Sequence, residues 1–286
     1  MNKILYVAGF SLLAILSSCG DKQADEFKDT GDTVAVDNTP KDTTPITVDE
    51  NTKFKFDFAI ANIPSPVSSV NELSGWGVPY NTAILIDTKK PLSGDEFYKA
   101  IQLGAFNIDM SYAMVNNVGE DVLKYMKAVL VKSDALGLKS AVDQMVGKRA
   151  EQNIANKDSL LRILDEIFVK SDSYLRTNDR VYTASAVFAG SWIEALYLTC
   201  KITEAGTDAA VKEKGYKELW DQRFYLKNLS ELLNEYKDKK ECAALNDQFK
   251  VILNEITAIK DPKDFKEANF KKISEQIYAL RASIIK

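Results

Sequence analysis

The sequence predicts an all-α domain, an antiparallel helical bundle of about eight helices, on three observations. Apolar residues recur at alternating spacings of three and four along most of the chain after residue 93, which is typical of helices with one buried face. Short breaks with polar residues, glycine or proline separate these stretches. No succession of alternating segments that could form a sheet is present.

The elements before residue 93 are predicted to be short. Phe54, Phe56 and Phe58 alternate with polar residues, which predicts a short extended segment before the first helix. Pro66 suits the first position of a helix that continues to Leu73.

Five helices are predicted between residues 93 and 206. Ser93-Gly94-Asp95-Glu96 has the pattern of a capping box, and Gly137 follows the second helix where a helix commonly ends. Asn156 is placed to cap the fourth helix. The first, second, third and fifth of these helices are predicted to span about 93–116, 119–135, 140–153 and 180–203. The fourth begins after 156 and has Leu160, Leu164, Ile167, Ser171 and Tyr174 on one side.

The fifth of these helices is rich in alanine, serine and other small residues, including Gly190. Small side chains let neighbouring helices approach closely, so we expect this helix to be central in the bundle. Its stretch from Val181 to Leu198 is apolar or small except for Glu194 and approaches the length of a membrane helix. We favour a buried core helix over a membrane-spanning one.

The last three helices have the clearest periodicity. Asp261-Pro262 is expected to open the final helix, with aspartate as the cap and proline in the first helical position. The apolar stripes are Leu219, Leu226, Leu229, Leu233 and Tyr236 in the sixth helix, Leu245, Phe249, Ile252, Ile256 and Ile259 in the seventh, and Phe270, Ile273, Ile277, Leu280 and Ile284 in the eighth.

The first eighteen residues have the organisation of a secretory signal. Lys3 precedes an apolar run from Ile4 to Leu16, too short for a permanent membrane helix. The following Leu16-Ser17-Ser18-Cys19 resembles the lipobox of bacterial lipoproteins. That resemblance implies cleavage after residue 18 and acylation of Cys19 on its thiol and new amino group, so the protein would contact the membrane through lipid. An ordinary signal peptide with a chance cysteine is the alternative.

Residues 19–52 are predicted to form an acidic, threonine-rich, disordered tether. Between Gly20 and Thr52 there are seven threonines, nine acidic residues and three lysines, which give a net charge of −6. Such a composition cannot bury enough apolar surface to fold. Residues 53–286, the predicted all-α domain, carry 33 basic and 32 acidic residues. This near-neutral balance argues against nucleic acid as a partner.

Several common chemistries are excluded by composition or pattern. The chain has no histidine, so it lacks the commonest general base and the usual zinc ligand. No phosphate-binding glycine loop or calcium loop is present, and we predict no cofactor and no metal site. Cys200 and Cys242 are expected to be two buried thiols, with a structural disulfide as the alternative.

Two carboxylates stand in apolar surroundings and are the candidate site residues. Asp109 follows a stretch of small and apolar residues, and Glu194 is the sole charge of the central helix. A buried charge needs a partner, and a polar group in a cleft is a candidate ligand contact. With Tyr112 and Trp192 they form a predicted binding pocket. The alternative, which we favour, is a structural ion pair or hydrogen-bonded network with an arginine, for which Arg149, Arg180 and Arg223 are candidates.

Several segments together resemble a group of all-helical envelope lipoproteins from Bacteroidetes for which no activity is established. The resemblance covers most of residues 58–198 and implies an envelope protein with an all-helical domain, but no activity. The matching segments are Ile63-Pro64-Ser65-Pro66, Tyr80-Asn81, Leu103-Gly104 with Asp109, and Gly190-Ser191-Trp192-Ile193-Glu194-Ala195-Leu196-Tyr197.

The location within the envelope is left open by the sequence. Gln23-Ala24-Asp25-Glu26 resembles the acidic export signal that sends some lipoproteins of these bacteria to the cell surface, although it lies a few residues later than usual. We therefore expect an outer-membrane lipid anchor, with the domain in the periplasm or on the surface.

Three functions are compatible with these observations. The first is a non-enzymatic binding or scaffold module for an unknown envelope protein, held near the membrane by its lipid. The second is a small-ligand receptor with a pocket between helices near Asp109 and Glu194. The third, least favoured because histidine is missing, is a hydrolase with two facing carboxylates.

Overall fold

The computed structural model describes residues 55–57, 59, 61–63, 65–138, 149, 152, 153, 156, 159, 162, 163, 175 and 180–286. Regular secondary structure in these ranges is helical throughout, without a β-strand, and the predicted all-α fold is confirmed. The α-helices found there are α1 (Pro66–Ser74), α2 (Glu96–Val115), α3 (Gly119–Asp134), α4 (Val181–Ala205), α5 (Ala209–Asn234), α6 (Lys240–Thr257) and α7 (Glu267–Ile284).

The extended segment predicted at residues 54–58 is wrong where the structure describes it. Lys55–Asp57 and Ala59 are helical. Phe56 and Ala59 are buried three positions apart, which places them on one helix face, and Ile63 is buried just after the helix ends. Three alternating aromatic residues were too few to distinguish a strand from this helical face.

The connection between α1 and α2, residues 75–95, is long and runs over the helices that hold the candidate site. Pro66 occupies the start of α1, as predicted, and α1 ends one residue beyond Leu73. A short 3-10 helix, Thr82–Ile84, lies in the middle of the connection, and the Asn81 side chain caps it by accepting a hydrogen bond from the backbone of Ala83.

The start of α2 differs in detail from the predicted capping box. Asp95 is the N-cap, and its side chain accepts a hydrogen bond from the Tyr98 backbone N–H at 3.0 Å. Gly94 precedes it with a φ of +87°, a left-handed conformation that favours glycine. Because the chain turns at Gly94, Ser93 is too early to cap the helix, and its backbone pairs instead with the Gln102 side chain.

The predicted end of the second helix agrees with the structure. Helix α3 ends at Asp134, and Gly137 follows with a φ of +67°. Asn156 accepts a hydrogen bond from the Ser159 backbone N–H at 3.0 Å, as its predicted capping role requires. The predicted helix at 140–153 and the stripe from Leu160 to Tyr174 fall largely or wholly outside the described residues.

Helices α2 and α4 cross with their backbones in contact. A Cβ added to Gly104 would lie 2.0 Å from the carbonyl oxygen of Val187, and one added to Gly190 would lie 1.9 Å from that of Ile101. The Ser191 hydroxyl donates a hydrogen bond to the Gly104 carbonyl oxygen at 3.1 Å. The expectation that small residues of α4 permit close approach is confirmed.

The burial of α4 is also confirmed. Its aliphatic and aromatic residues are mostly buried against α2, α5 and α7. Among the described residues, no helix is both long enough and apolar enough to cross a membrane. Cys200 in α4 and Cys242 in α6 are buried free thiols, as predicted.

Helices α5, α6 and α7 bury most of the apolar stripes predicted from the sequence. Tyr236 is half-buried and lies beyond the end of α5, and Ile259 lies beyond the end of α6. Helices α5 and α6 run antiparallel, since Ser230 bonds to Asn246 while Trp220 bonds to the carbonyl oxygen of Ile259. Asp261 and Pro262 open a separate 3-10 helix, and α7 begins only at Glu267. The two C-terminal stripes, all buried, are Leu245, Phe249, Ile252, Ile256 and Ile259, and Phe270, Ile273, Ile277, Leu280 and Ile284.

Candidate functional site

The structure brings Asp109 and Glu194 together and places Trp192 elsewhere. Asp109 in α2 and Glu194 in α4 are both 0 % exposed, and their carboxyl groups are within hydrogen-bonding reach of each other. Tyr112 is buried near Asp109 and stacks on Tyr80, with ring centroids 5.0 Å apart.

Trp192 lies on the other side of α4 from Glu194. Its ring packs edge-on against Phe249 of α6, with centroids 5.5 Å apart. Residues two positions apart in a helix do not face the same neighbour. The four predicted pocket residues therefore do not line one cavity, and Trp192 belongs to the core between α4 and α6.

Glu194 is paired with Arg281 of α7. The arginine Nε donates to Glu194 Oε2 at 3.0 Å and to Oε1 at 3.2 Å, and its Nη2 donates to Oε1 at 2.8 Å. Both carboxylate oxygens are thus occupied by one guanidinium group. Such two-point contacts are among the stronger hydrogen bonds in proteins. A structural ion pair was the favoured interpretation, but Arg281 was not among the arginines considered.

Arg281 also contacts an aromatic ring and the 75–95 connection. Its guanidinium carbon lies 4.0 Å from the centroid of the Tyr197 ring, which is a favourable cation–π distance. Its Nη2 is 3.4 Å from the carbonyl oxygen of Ile84. The side chain is 15 % exposed. Arg281 therefore joins α7 to α4 and to the connection.

Asp109 holds the 75–95 connection from the other side. Its Oδ2 accepts a hydrogen bond from the backbone N–H of Ile86 at 2.8 Å. The carbonyl oxygen of Ile86 accepts a hydrogen bond from the Tyr125 hydroxyl at 2.5 Å. Side chains of α2 and α3 thus satisfy both polar backbone groups of one buried residue, as burial of a peptide group requires.

Further contacts fix the same connection to α3. The Tyr80 hydroxyl donates to Asp121 at 3.0 Å, and the Lys132 ammonium donates to the carbonyl oxygen of Thr88 at 3.1 Å. Burial lowers the pKa of Lys132 and raises the pKa of Tyr80. These polar groups serve to hold the connection over the site.

The electrostatics of the two carboxyl groups are governed by burial. Loss of solvent raises the pKa of Asp109 well above its usual range, and the neighbouring charge of Glu194 raises it further. Burial also raises the pKa of Glu194, although Arg281 opposes that shift. The pKa of Arg281 is raised by the Glu194 charge in spite of the arginine's own desolvation. We call Asp109, Glu194 and Arg281 the buried charge cluster.

The described part of the chain offers no evident metal site. No three Cys, Asp or Glu side chains in it are grouped so that they could hold a metal ion, and the chain contains no histidine.

A surface concavity of about 400 Å³ lies away from the buried charge cluster. It is formed where the N-terminal helical residues meet α5 and α6. Its surface is mainly apolar although most of the residues around it are polar. The buried Asn246 accepts a hydrogen bond from Ser230 at 2.6 Å on its wall. The lining residues include Lys55, Asn228, Ser230, Asn234, Asn246 and Lys250.

Two residues of the site escaped the sequence interpretation. Arg281 follows Ile277 by four positions, so it lies beside the buried face of α7. This position is the sequence feature that could have identified Arg281 as a partner for a buried carboxylate. Tyr125 gave no comparable signal, because its partner is a backbone group of a distant connection.

The chain matches no protein-family model, no curated protein and no solved structure.

Proposed function

We propose that the protein is a lipid-anchored component of the cell envelope whose all-helical domain is a non-enzymatic binding or scaffold module. The observation that carries this proposal is the N-terminal sequence, in which an apolar run of signal length leads directly into Leu16-Ser17-Ser18-Cys19. The acidic residues that follow supply a spacer of roughly 30 Å if they behave as a flexible coil. Such a tether raises the effective concentration of the domain near a partner on the same membrane.

The use of the buried charges supports a role without catalysis. Asp109 and Glu194 would be the natural carboxylates of a hydrolase, since they face each other. Both are 0 % exposed, and the oxygens of Glu194 are taken up by Arg281. A general acid or nucleophile must reach its substrate. These carboxyl groups instead join three helices and the 75–95 connection.

Membrane anchoring is tested by fractionation of cells that express the full chain. The parent should sediment with membranes after a high-salt wash and incorporate labelled fatty acid, whereas Cys19→Ala should do neither. Ser18→Ala is the matched control, because it keeps a small residue before the cysteine and leaves the thiol in place. A Cys19→Ala variant that still sediments with washed membranes would refute the lipid anchor.

The binding role is tested by cross-linking the tagged full chain in intact envelopes, followed by purification. A stoichiometric partner should be captured by the parent and equally by Asp109→Asn, because Asp109 is not at the surface. Capture should decrease for Cys19→Ala, which removes confinement at the membrane. The opposite outcome has two parts: no partner is captured in any growth condition, and the purified chain converts an envelope substrate. If Asp109→Asn then abolishes that conversion, the module is an enzyme instead.

A small-ligand receptor is the alternative proposal, and the concavity beside α5 and α6 favours it. Its mainly apolar surface with a few amide and ammonium groups suits a ligand with an apolar body and a few polar groups. Native mass spectrometry of the full chain purified from its own envelope would detect a retained ligand. The receptor proposal expects that ligand to survive Asp109→Asn and to be lost in Asn228→Ala. Retention in Asn228→Ala together with loss in Asp109→Asn would locate the site at the buried charge cluster instead.

A further inference from the structure

The buried charge cluster contains two acids and one base. With all three groups ionised, it would carry a net charge of −1 at a place where both carboxyl groups are wholly withdrawn from solvent. An uncompensated charge in such surroundings is costly, and proteins commonly avoid it by changing a protonation state. The charge count alone therefore requires either a further cation or a proton.

The hydrogen bonds show which atom is left without a partner. Both oxygens of Glu194 accept from Arg281, and Asp109 Oδ2 accepts from the Ile86 N–H. No donor among the described residues reaches Asp109 Oδ1, although this atom is buried. Its neighbour is Glu194, whose ionised carboxylate can only accept a hydrogen bond.

Among the residues that the structure describes, the groups that face Asp109 from the surrounding elements supply no second cation. They are Glu194 and Tyr197 on α4, Arg281 on α7, Tyr125 and Asp121 on α3, Tyr80 in the 75–95 connection and Tyr112 on α2 itself. The acid of α1, Glu72, interacts with Glu218 of α5 instead. Burial raises the pKa of the tyrosines, so they remain neutral at physiological pH.

We propose that Asp109 is protonated at neutral pH and that its Oδ1–H donates a hydrogen bond to Glu194, which makes the buried charge cluster electrically neutral. The proton resides on Asp109 rather than Glu194 because the guanidinium group of Arg281 stabilises the ionised form of Glu194 at two points. Asp109 receives one backbone N–H bond, which a protonated carboxyl group can still accept at Oδ2.

This protonation makes the attachment of the 75–95 connection sensitive to alkaline pH. Loss of the proton places two like charges side by side and removes the hydrogen bond between α2 and α4. Asp109 also holds Ile86, and Arg281 contacts Ile84. The connection should therefore loosen when Asp109 ionises.

Infrared spectroscopy of the full chain tests the proposal at pH 7. The protein is prepared with ¹³C-labelled aspartate, so that aspartic and glutamic carboxyl groups absorb at separate positions. An isotope-shifted band of a protonated carboxyl group is expected in the parent and should be lost in Asp109→Asn. Asp247→Asn, whose side chain lies at the surface of α6, is the matched control and should keep the band.

A second variant tests whether Glu194 accepts the hydrogen bond from protonated Asp109. In Glu194→Gln the like charge is gone and Arg281 remains, so Asp109 should ionise and the labelled band should disappear although Asp109 is still present. A band that persists in Glu194→Gln would refute the role of Glu194. Absence of the band from the labelled parent at pH 7 would overturn the whole proposal, and that measurement needs no variant to fold.

Discussion

The crossing of α2 and α4 and the packing of α6 with α7 use different physical means to join helices. At the crossing, Gly104 and Gly190 bring the two backbones into contact, and buried charges lie one to two turns away. The C-terminal helices are joined by regular stripes of leucine, isoleucine and phenylalanine. The first region depends on shape and on specific polar partners, whereas the second depends on the area of apolar surface that is buried.

This difference determines how each region should respond to mutation. An apolar seam loses stability in proportion to the volume removed, because neighbours can partly relax. A backbone contact has no flexible side chain that could move aside. A buried charge responds to its partners and to pH. These three responses separate the two regions.

The largest effect is expected for Gly190→Ala. The new Cβ would lie 1.9 Å from the carbonyl oxygen of Ile101, so α2 and α4 would have to separate. The loss in the free energy of unfolding should exceed the roughly 1–3 kcal/mol that is typical of overpacking, and the variant could fail to fold. Urea unfolding followed by circular dichroism measures this change.

Gly75→Ala is the matched control for that substitution. Gly75 has a φ of −84°, and an added Cβ would meet only a carbonyl oxygen at 3.4 Å. Its free energy of unfolding should change by no more than about 1 kcal/mol. If Gly190→Ala were as mild as Gly75→Ala, the close crossing would be wrong.

Ile256→Ala and Ile277→Ala should each reduce the free energy of unfolding by about 2–5 kcal/mol. Both side chains are at most 1 % exposed in the C-terminal seam. Val251→Ala on the same α6 helix is the control, since Val251 is 52 % exposed and should change stability by less than about 0.5 kcal/mol. Equal effects at Ile256 and Val251 would mean that the stripe does not form a core.

A smaller effect for each pH unit is expected at Asp109, and it is measured as a pH dependence. Because the folded-state pKa of Asp109 is raised, its contribution to stability is complete below the unfolded-state pKa near 3.9 and is lost as the pH rises through the folded-state value. The Asp109→Asn variant has no ionisable group at this position, so its stability does not fall in this way as the pH rises. Between pH 5 and pH 6, urea unfolding should show the variant gaining about 1.4 kcal/mol relative to the parent. A difference that does not vary with pH would contradict the raised pKa.

The regular parts of the fold could be predicted from the sequence. The end of α3 before Gly137 and the stripes of α6 and α7 agree with the structure, because a glycine after a helix and a three-four period are local properties. The local signals failed where they were short or ambiguous. Phe56 belongs to a helix rather than an extended segment, and Asp95 rather than Ser93 caps α2.

The candidate site could be predicted only in part. Asp109 and Glu194 were recognisable as charges in apolar segments, and the structure places them together. Arg281 lies 87 positions from Glu194, and its role depends on which face of α7 meets α4, which no local pattern records. Trp192 was grouped with Glu194 by proximity in sequence, but the helical period turns it toward α6.

A double-mutant cycle on the buried charge cluster tests most directly the claim that it is a neutral structural unit. Asp109→Asn should raise the free energy of unfolding at pH 7, because the amide can replace both hydrogen bonds of the protonated acid and folding no longer has to bind a proton. Glu194→Gln alone should be tolerated better than the loss of an ion pair, because Asp109 can ionise beside Arg281.

Asp109→Asn combined with Glu194→Gln leaves Arg281 buried without a carboxylate. The double variant should therefore lose about 3–5 kcal/mol relative to Asp109→Asn, clearly more than Glu194→Gln loses relative to the parent. Additive effects of the two substitutions, or a loss of several kcal/mol from Asp109→Asn alone, would contradict the shared proton and the structural role of the cluster.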